Sequence, residues 1–271
     1  MICDNCSHNC DLSEGKTGLC HARSASGGKI VCDNYGAVTS LALDPIEKKP
    51  LAMFHPGSMI LSAGSYGCNM RCMWCQNDSI SRGYVEADHL TPEELVRIAI
   101  DTKARGNIGI AFTYNEPFVG YEFVRDTAKL SKEKGLINVC VTNGMLESGK
   151  FSELAELIDA YNIDFKTGYS DKYELIGGNL DLIKENISTA VRKACHVELT
   201  TLVVPRFNDS DEDIIRIIGF IKDLDPDIPL HITRFFPAGD MRDAEPTSLD
   251  ILYRFKSIAL QSLNNVFLGN V

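Results

Sequence analysis

The sequence predicts an α/β protein in which a partial barrel of six β/α units follows a small cysteine-rich appendage. From residue 59 onward, short apolar runs alternate with amphipathic segments, whereas five of the ten cysteines fall within the first 32 residues. The 271 residues, of which 44% are hydrophobic, suit one large domain with an appendage. We therefore divide the chain into a cysteine-rich segment, residues 1–58, and a barrel, residues 59–271.

Six apolar runs have the length and composition of buried parallel strands. They cover residues 59–65, 108–112, 137–141, 163–166, 197–204 and 230–235, and residues 265–268 form a candidate edge strand. Because a helix signal follows each run, we expect a parallel sheet with right-handed crossovers. Six units rather than eight predict an open or partial barrel.

The amphipathic segments between these runs have the spacing of helices that pack one face against a sheet. They cover residues 91–104, 117–134, 150–161, 180–194, 211–224 and 247–263. The first begins with Thr91, Pro92 and Glu94, which form a capping box with proline at the first helical position.

Polar or charged residues follow the strands at their carboxyl ends. This is the edge at which α/β barrels and open α/β sheets bind their ligands. Several side chains at one edge are therefore expected to share a site; they are Cys68, Asn115, Glu116, Asn143, Asp164, Lys166 and Arg234.

A C-x3-C-x2-C run, Cys68, Cys72 and Cys75, follows the first strand. Three thiolates can ligate three irons of a 4Fe–4S cluster and leave the fourth iron open, whereas electron-transfer ferredoxins use four cysteines. Two other interpretations stay open. The three positions share one face of a helix, and three thiolates bind zinc where a fourth ligand lies nearby.

This run resembles the signature of the radical S-adenosylmethionine (SAM) superfamily, whose core is a partial β/α barrel. The resemblance implies that SAM chelates the open iron and is cleaved reductively to a 5′-deoxyadenosyl radical. It also implies an external one-electron reductant of the flavodoxin or ferredoxin type. The residue before the third cysteine, Trp74, is expected near the adenine.

The resemblance assigns further side chains to SAM. Tyr114, Asn115 and Glu116 stand where superfamily members often carry Gly-Gly-Glu, a segment that binds the methionyl ammonium, so Tyr114 and Asn115 replace the two glycines. A helix cap is the alternative role of Glu116. Asp164 and Lys166 resemble the Asp-x-Lys pair of glycyl-radical-enzyme activases, although a structural ion pair is also possible. Asn143, in Val-Thr-Asn-Gly, is expected to bind cofactor or substrate or to form a turn.

Two residues of the last predicted strand are candidates for substrate binding. Arg234 lies near the carboxyl end of the strand, where a guanidinium suits an anionic group. His231 is either a substrate contact or a core histidine whose hydrogen bonds are satisfied.

The amino-terminal cysteines form a separate pattern of C-x2-C-x3-C-x9-C. Thiolates at such spacing suggest a structural metal site, which small domains often need for stability. Zinc, a second iron–sulfur cluster and no metal at all stay open, and Cys32 is a spare ligand. The four candidate ligands are Cys3, Cys6, Cys10 and Cys20.

A closer resemblance, spread over nearly the whole chain, is to the radical SAM enzyme of the AmmeMemoRadiSam system. It rests on the amino-terminal cysteines, the Leu-Asp-Pro-Ile-Glu-Lys-Lys-Pro-Leu segment at 43–51, the 67–77 and 113–117 loops, and residues 231–237. The 43–51 segment is the most specific of these, because general cofactor chemistry does not require it. This family is related to pyruvate formate-lyase activating enzymes, and its substrate does not follow from the resemblance.

Composition limits the function further. The net charge of −10 argues against a non-specific nucleic-acid binder. No apolar stretch approaches the ~20 residues that span a bilayer. Ten cysteines without a secretory signal favour metal ligation over disulfides, so we expect a cytoplasmic protein.

Three functions are compatible with the sequence. The first is hydrogen abstraction from a protein partner, as in glycyl-radical activation. The second is radical modification of a small molecule or an RNA base. The third is a non-enzymatic iron–sulfur or zinc module, which leaves Glu116, Asp164 and Lys166 without a purpose.

Overall fold

Twelve strands and eight α-helices make up the computed structural model, which describes residues 1–271. The strands are β1 Arg23–Ser26, β2 Lys29–Cys32, β3 Ala37–Val38, β4 Ser40–Pro45, β5 Met59–Gly64, β6 Asp88–His89, β7 Asn107–Phe112, β8 Ile137–Thr142, β9 Ala160–Asp164, β10 His196–Val203, β11 Leu230–Arg234 and β12 Val266–Gly269. The helices are α1 Asp78–Ser81, α2 Pro92–Asp101, α3 Tyr121–Glu133, α4 Ser148–Leu154, α5 Ser170–Leu175, α6 Leu180–Arg192, α7 Asp211–Leu224 and α8 Leu249–Ala259.

One eight-stranded sheet organises the barrel, in the order β12-β11-β10-β9-β8-β7-β5-β4. From β5 to β12 every pairing is parallel, as the alternation of strands and helices predicts. β12 is the expected last edge strand, and the sheet stays open between its two outer strands. The predicted α/β fold with a mostly parallel sheet is therefore confirmed.

Several details differ from the sequence-based expectation, which did not include the short elements β1, β2, β3, β6, α1 and α5. β4 is an additional, antiparallel edge strand that pairs Pro45 with Met59 and Ser40 with Gly64. β9 begins at Ala160 rather than at residue 163, and α4 ends at Leu154 rather than near residue 161. The apolar pattern missed the start of β9 because Asn162, a polar residue, is buried there.

The two faces of the sheet have different neighbours. The outer face packs against the helices in a large apolar core that includes Phe112, Ile163 and Leu199. On the inner face, small or branched residues of β5, β7, β8 and β9 pack against Ile46 and Leu51. The interior of the barrel is thus filled at the amino ends of its strands.

Residues 46–54, which we call the floor segment, close that end of the barrel. Asn162 Nδ2 donates to Pro50 O at 2.8 Å. The backbone amides of Ala52 and Met53 donate to the Glu198 carboxylate at 2.9 and 2.8 Å. β9 and β10 therefore hold the floor segment through fixed hydrogen bonds.

The cysteine-rich appendage packs against the barrel. Asn5 Nδ2 donates to Phe118 O at 2.9 Å, and Glu147 N donates to Asn5 O at 3.0 Å. Arg23 makes a bidentate ion pair with Glu122 of α3, with contacts of 2.6 and 2.7 Å.

Residues 40–45, on the amino-terminal side of the predicted division at 58/59, extend the central sheet, and the division itself stays a prediction. None of the helices has the length and apolar character needed to cross a bilayer.

Candidate active site

The Cys68–Cys75 loop follows β5 directly and is held on several sides. Cys68 N donates to Cys20 O at 3.2 Å, and Arg82 Nη2 donates to Cys72 O at 3.1 Å. Gly67 has φ +90°, and a Cβ there would lie 2.5 Å from Cys20 O. Only glycine combines this conformation with so close an approach to the Cys20 carbonyl. The loop therefore packs directly against the backbone of the appendage.

The chemistry of the three thiols fits an iron–sulfur cluster. Burial raises the pKa of Cys68 and Cys72, and the neighbouring Cys75 contributes in the same direction to both. Buried thiolates this close together need a cationic group to ionise. Cys68 Sγ also accepts from Met70 N at 3.4 Å and from Asn143 Nδ2 at 3.8 Å, and such hydrogen bonds tune cluster sulfurs.

No group of three or more His, Cys, Asp or Glu side chains is already set at metal-ligand spacing in the structure. The assignment of ligands therefore rests on the donor chemistry of the loop and on the side chains around it.

Glu116 lies at the carboxyl edge of the sheet, after β7, and is almost fully buried. Its Oε1 accepts from Phe118 N at 3.0 Å and from Thr142 Oγ1 at 2.7 Å, and its Oε2 accepts from Asn143 N at 2.8 Å. The carboxylate thus caps the short 3₁₀ helix Pro117–Gly120, as the alternative interpretation expects. A carboxylate has about four acceptor positions, so one stays available for a ligand.

The pKa of Glu116 reflects the burial of its carboxyl group. Burial raises the pKa of this carboxyl to about 7, with a smaller contribution in the same direction from the charge of Asp164, although the three donated hydrogen bonds oppose the shift. A cation placed beside Glu116 would favour its ionised form.

The two asparagines near Glu116 hold loops together. Asn115 Oδ1 accepts from Ser65 N at 2.9 Å, and its Nδ2 lies 3.0 Å from Gly67 O, so it fixes the start of the cysteine loop. Asn143 Oδ1 accepts from Met145 N at 2.9 Å in a turn, while its Nδ2 points at the cysteine loop. Asn143 therefore forms the turn that the sequence left as one alternative, and its binding of cofactor or substrate stays a prediction.

Asp164 and Lys166 form an ion pair of 2.9 Å on the inner side of the barrel edge. Burial alone would lower the pKa of Lys166, but the negative charges of Asp164 and Cys72 outweigh it and raise that pKa. Tyr173 fixes the pair, because Lys166 N donates to its hydroxyl at 2.8 Å. The pair thus lies beside Cys72, and Asp164 remains partly exposed.

Trp74 and the two substrate candidates lie in different surroundings. Trp74 is buried and packs on Phe207, with ring centroids 4.5 Å apart. His231 faces the barrel interior, where its Nε2 lies 2.6 Å from Glu198 Oε2. Arg234 Nε donates to Thr247 O at 2.8 Å. His231 and Arg234 stand at odd and even positions of β11, which point to opposite faces, so they do not form one contact.

The four amino-terminal cysteines line one pocket, together with Asn5, His8, Arg23 and Asn69. Burial raises the pKa of Cys6 to about 11 and also that of Cys20. This pocket adjoins the Cys68–Cys75 loop, because His8 Nε2 lies 2.7 Å from Asn69 O.

Sequence reasoning missed two residues that organise the site. Asn69 donates to Met145 O at 2.7 Å and accepts from Asn143 at 2.9 Å, which links the cysteine loop to the loop after β8. Tyr173 supports Lys166 from α5. The position of Asn69 between two candidate ligands, Cys68 and Cys72, could have identified it from sequence. No sequence pattern pointed to Tyr173.

An open parallel sheet with a three-cysteine loop at its carboxyl edge defines a radical SAM protein. Residues 63–218 match the model of the Radical SAM superfamily, and the chain belongs to that superfamily.

Among similar proteins, an uncharacterized protein of Methanocaldococcus jannaschii is 38% identical over 275 residues, covering 99% of this chain and 81% of the relative. The pyruvate formate-lyase-activating enzyme of Clostridium pasteurianum is 28% identical over 162 residues, 58% of this chain and 67% of the relative. The GTP 3′,8-cyclase of Peptoclostridium acidaminophilum is 33% identical over 55% of this chain, and the match spans 48% of that enzyme.

Two solved structures share the fold. A radical SAM methyltransferase from Sphaerobacter thermophilus superposes with a TM-score of 0.59 at 17% identity, covering 80% of this chain and 67% of that one. A domain of a pyruvate-formate lyase-activating enzyme from Bacteroides vulgatus gives a TM-score of 0.51 at 19% identity, covering 60% and 99%.

Proposed function

We propose that the protein is an enzyme that cleaves SAM reductively and uses the resulting radical to abstract hydrogen from a substrate. One observation carries this proposal: the thiols of Cys68 and Cys72 lie within electrostatic reach of Glu116, Asp164 and Lys166 at one edge of the sheet. Thiols, a buried carboxylate and an ion pair are the groups that a cluster and a zwitterionic cofactor require.

Each of these residues then has a distinct role. Cys68, Cys72 and Cys75 hold a 4Fe–4S cluster, which with SAM supplies a 5′-deoxyadenosyl radical. The free acceptor position of Glu116 takes the methionyl ammonium. Lys166 binds the methionyl carboxylate, and Asp164, held by Lys166, accepts from a ribose hydroxyl. Asn143 orients Cys68, Asn115 holds the loop, and Trp74 packs near the adenine.

The reaction needs an external one-electron donor, for which a flavodoxin or ferredoxin is the expected type. A reducing cytoplasmic compartment suits both the donor and the unpaired cysteines.

We also propose that Cys3, Cys6, Cys10 and Cys20 bind a structural metal, with zinc as the first candidate. The convergence of the four side chains on one pocket supports this proposal. Metal analysis of protein purified without added metals, compared with a Cys6→Ser variant, tests it. One zinc per chain that is lost in the variant is the expected result, whereas iron would indicate a second cluster.

The first candidate for the radical acceptor is a protein, as in glycyl-radical activation. Its support is the similarity to pyruvate formate-lyase-activating enzymes. EPR spectra of the reduced enzyme with SAM and candidate partner proteins would reveal a glycine-centred doublet. Absence of a transferred radical across the partners would contradict this candidate.

The second candidate is a small molecule, and its support is the similarity to GTP 3′,8-cyclase. The floor segment, which closes the barrel interior at the amino ends of the strands, also suits a small substrate. An RNA base is less compatible with the net charge of −10. Substrate-dependent release of 5′-deoxyadenosine distinguishes the small-molecule candidate.

The central experiment is anaerobic. The cluster is reconstituted and reduced with dithionite, SAM is added, and 5′-deoxyadenosine is measured by chromatography. We expect product from the wild type and from Cys195→Ala, whose thiol lies away from the site and donates to Ala155 O. Cys72→Ala is expected to form none. Equal product from both variants would refute the ligand assignment.

A further inference from the structure

Two features that general radical SAM chemistry does not require meet inside the barrel. Asp44 and Lys49 come from the specific 43–51 segment, and Tyr114 occupies a position where superfamily members often carry glycine. Lys49 Nζ lies 3.0 Å from Asp44 Oδ2, and Tyr114 Oη donates to the same oxygen at 2.9 Å. The Lys49 ammonium also lies 4.8 Å from the centroid of the Tyr114 ring.

The backbone is arranged to bring Tyr114 to this place. Tyr114 has φ +73°, in the left-handed region that non-glycine residues rarely adopt. Its Cβ and ring lie across Gly64, where an added Cβ would come within 2.7 Å of Tyr114 Cδ2. Such local strain persists where the surrounding structure enforces it, commonly at functional sites.

Two side chains in this region can donate more hydrogen bonds than the structure provides acceptors for. An ammonium has three N–H groups, and the structure gives Lys49 Nζ one partner, Asp44, although the residue is 97% buried. Ser62 Oγ on β5 is fully buried beside the Tyr114 hydroxyl, but it has the geometry of a hydrogen bond neither to that hydroxyl nor to any other group. Buried donors without acceptors are costly, and a ligand that supplies acceptors would satisfy both of these groups.

Asp44, Lys49 and Ser62 share the inner face of the barrel. Asp44 stands opposite Ile60 in the β4–β5 pair, and Ser62 is two residues further along the same face. The hydroxyl of Tyr114 reaches down to Ser62 from the loop that carries Glu116. The group therefore lies between the floor segment and the proposed SAM site.

The open end of the barrel and the local charge indicate what reaches this place. Inward-facing Val141, Leu202 and Thr233, nearer the carboxyl edge, are only partly buried, whereas the floor segment closes the other end. Lys49 is the buried cation of this group and pairs with Asp44, whereas Lys48, the second partner of Asp44, has a side chain that is 66% exposed.

We propose that Lys49 and Ser62 bind an oxyanion of a small substrate inside the barrel, with Asp44 and Tyr114 holding the Lys49 ammonium in place. The oxyanion is a carboxylate or a phosphate, since an ammonium recognises both as a point charge. This inference rests on the proposed radical chemistry and selects a small anionic molecule over a protein glycine as the radical acceptor.

The test uses the reconstituted protein with SAM at saturation, so that the cofactor site is filled. Binding of trifluoroacetate is followed by ¹⁹F NMR line broadening, with trifluoroacetamide as the neutral analogue of equal shape. Inorganic phosphate, followed by ³¹P NMR, forms the second arm and distinguishes the two oxyanions.

Two variants and one control are compared with the wild type. We expect Lys49→Gln to weaken binding of the anionic probe about tenfold or more, and Ser62→Ala to weaken it about fivefold, since hydrogen bonds to charged groups are strong. Lys48→Gln is the matched control, because Lys48 bonds the same carboxylate but is exposed. It should retain binding within about twofold.

The outcomes separate this inference from the proposed function. Binding of either anion that falls in Lys49→Gln and Ser62→Ala but not in Lys48→Gln supports the site. Equal binding in all four proteins, or equal binding of the neutral amide, overturns it. If Lys49→Gln does not fold, Ser62→Ala still decides. The measurement requires no SAM cleavage, so failure of the radical chemistry would appear only in the 5′-deoxyadenosine assay.

Discussion

At the scale of single residues, Glu116 combines a structural role in joining two loops with its proposed role in binding SAM. It caps a 3₁₀ helix and joins the loops after β7 and β8 through Phe118, Thr142 and Asn143. These contacts fix the direction of its carboxylate before any ligand arrives. Preorganisation of this kind reduces the free-energy cost of binding.

The elevated pKa of Glu116 predicts a pH-dependent affinity for SAM. Because burial raises this pKa to about 7, the carboxyl is increasingly protonated as the pH falls below 7 and then cannot pair with the ammonium. In the wild type, the dissociation constant should rise as the pH falls from 7 to 5.5, toward a limit of about tenfold per unit. Calorimetric titration of the anaerobic protein with SAM measures it.

Glu116→Gln should bind SAM more weakly at pH 7 and show little dependence on pH over the same range, since glutamine carries no titrating proton. Glu212→Gln, which changes an exposed carboxylate of α7, should follow the wild type. A pH profile of the Glu116→Gln variant as steep as that of the wild type would assign the dependence to another group.

The candidate site could be located from sequence, but its contacts could not. The cysteine spacing and the polar residues after each strand predicted the edge and its members, because both follow from local pattern. The bond from Asn69 to Met145 and the support of Lys166 by Tyr173 join residues far apart in the chain. Such pairings depend on tertiary packing, which periodicity does not encode.

At the scale of elements, the parallel strands and the longer helices followed from periodicity. Periodicity did not predict β4, the floor segment or the short elements β1, β2, β3, β6, α1 and α5. β4 is largely exposed on one face and is followed closely by prolines and charged residues, so it lacks the apolar signal of a buried strand. The floor segment has no regular structure beyond the short 3₁₀ helix Ile46–Lys48. Its position depends on hydrogen bonds to Glu198 and Asn162 from distant strands.

Glu198 is therefore predicted to stabilise the floor segment in a pH-dependent way. Burial would raise the pKa of this carboxyl, but donors from His196, His231 and two backbone amides outweigh it and lower the pKa to about 2 from 4.5. A depressed folded-state pKa stabilises the fold above the unfolded-state value. The contribution, about 3 kcal/mol, is lost as the pH falls from 4.5 toward 2.

Glu198→Gln should lower the free energy of unfolding by about this amount at pH 7, and the difference from the wild type should shrink toward pH 2. Urea unfolding followed by circular dichroism at several pH values measures it. Glu174→Gln, at an exposed position of α5, should match the wild type. A difference that stays constant from pH 7 to pH 2 would show that the carboxylate is not the source.

At the scale of the whole molecule, the appendage and the barrel meet at the Cys68–Cys75 loop, which we call the cluster loop because it carries the proposed cluster ligands. Cys20 O accepts from Cys68 N, and Gly67 leaves no space for a side chain between them. The pocket of the amino-terminal cysteines and the Cys68–Cys75 loop therefore share a boundary. We therefore expect that a change that loosens the appendage also loosens the cluster loop through this contact.

Arg23 provides a way to test that coupling. It is 5% exposed, forms a bidentate pair with Glu122 and also donates to Val119 O at 3.2 Å, which fastens the appendage to α3. Arg23→Met leaves the partly exposed Glu122 carboxylate without its partner, so it should lower the free energy of unfolding by about 2 kcal/mol. Lys193→Met, which breaks the exposed pair with Glu156, should leave the free energy of unfolding close to the wild-type value.

A second measurement on the same variants distinguishes coupling between the appendage and the cluster loop from a loss of stability confined to the appendage. If the appendage supports the cluster loop, iron bound per chain after anaerobic reconstitution should fall in Arg23→Met and stay at the wild-type level in Lys193→Met. The double variant Arg23→Met/Glu122→Leu removes the stranded charge and should recover part of both losses. Stability lost without any change in iron content would mean that the appendage and the cluster loop are in contact but not coupled.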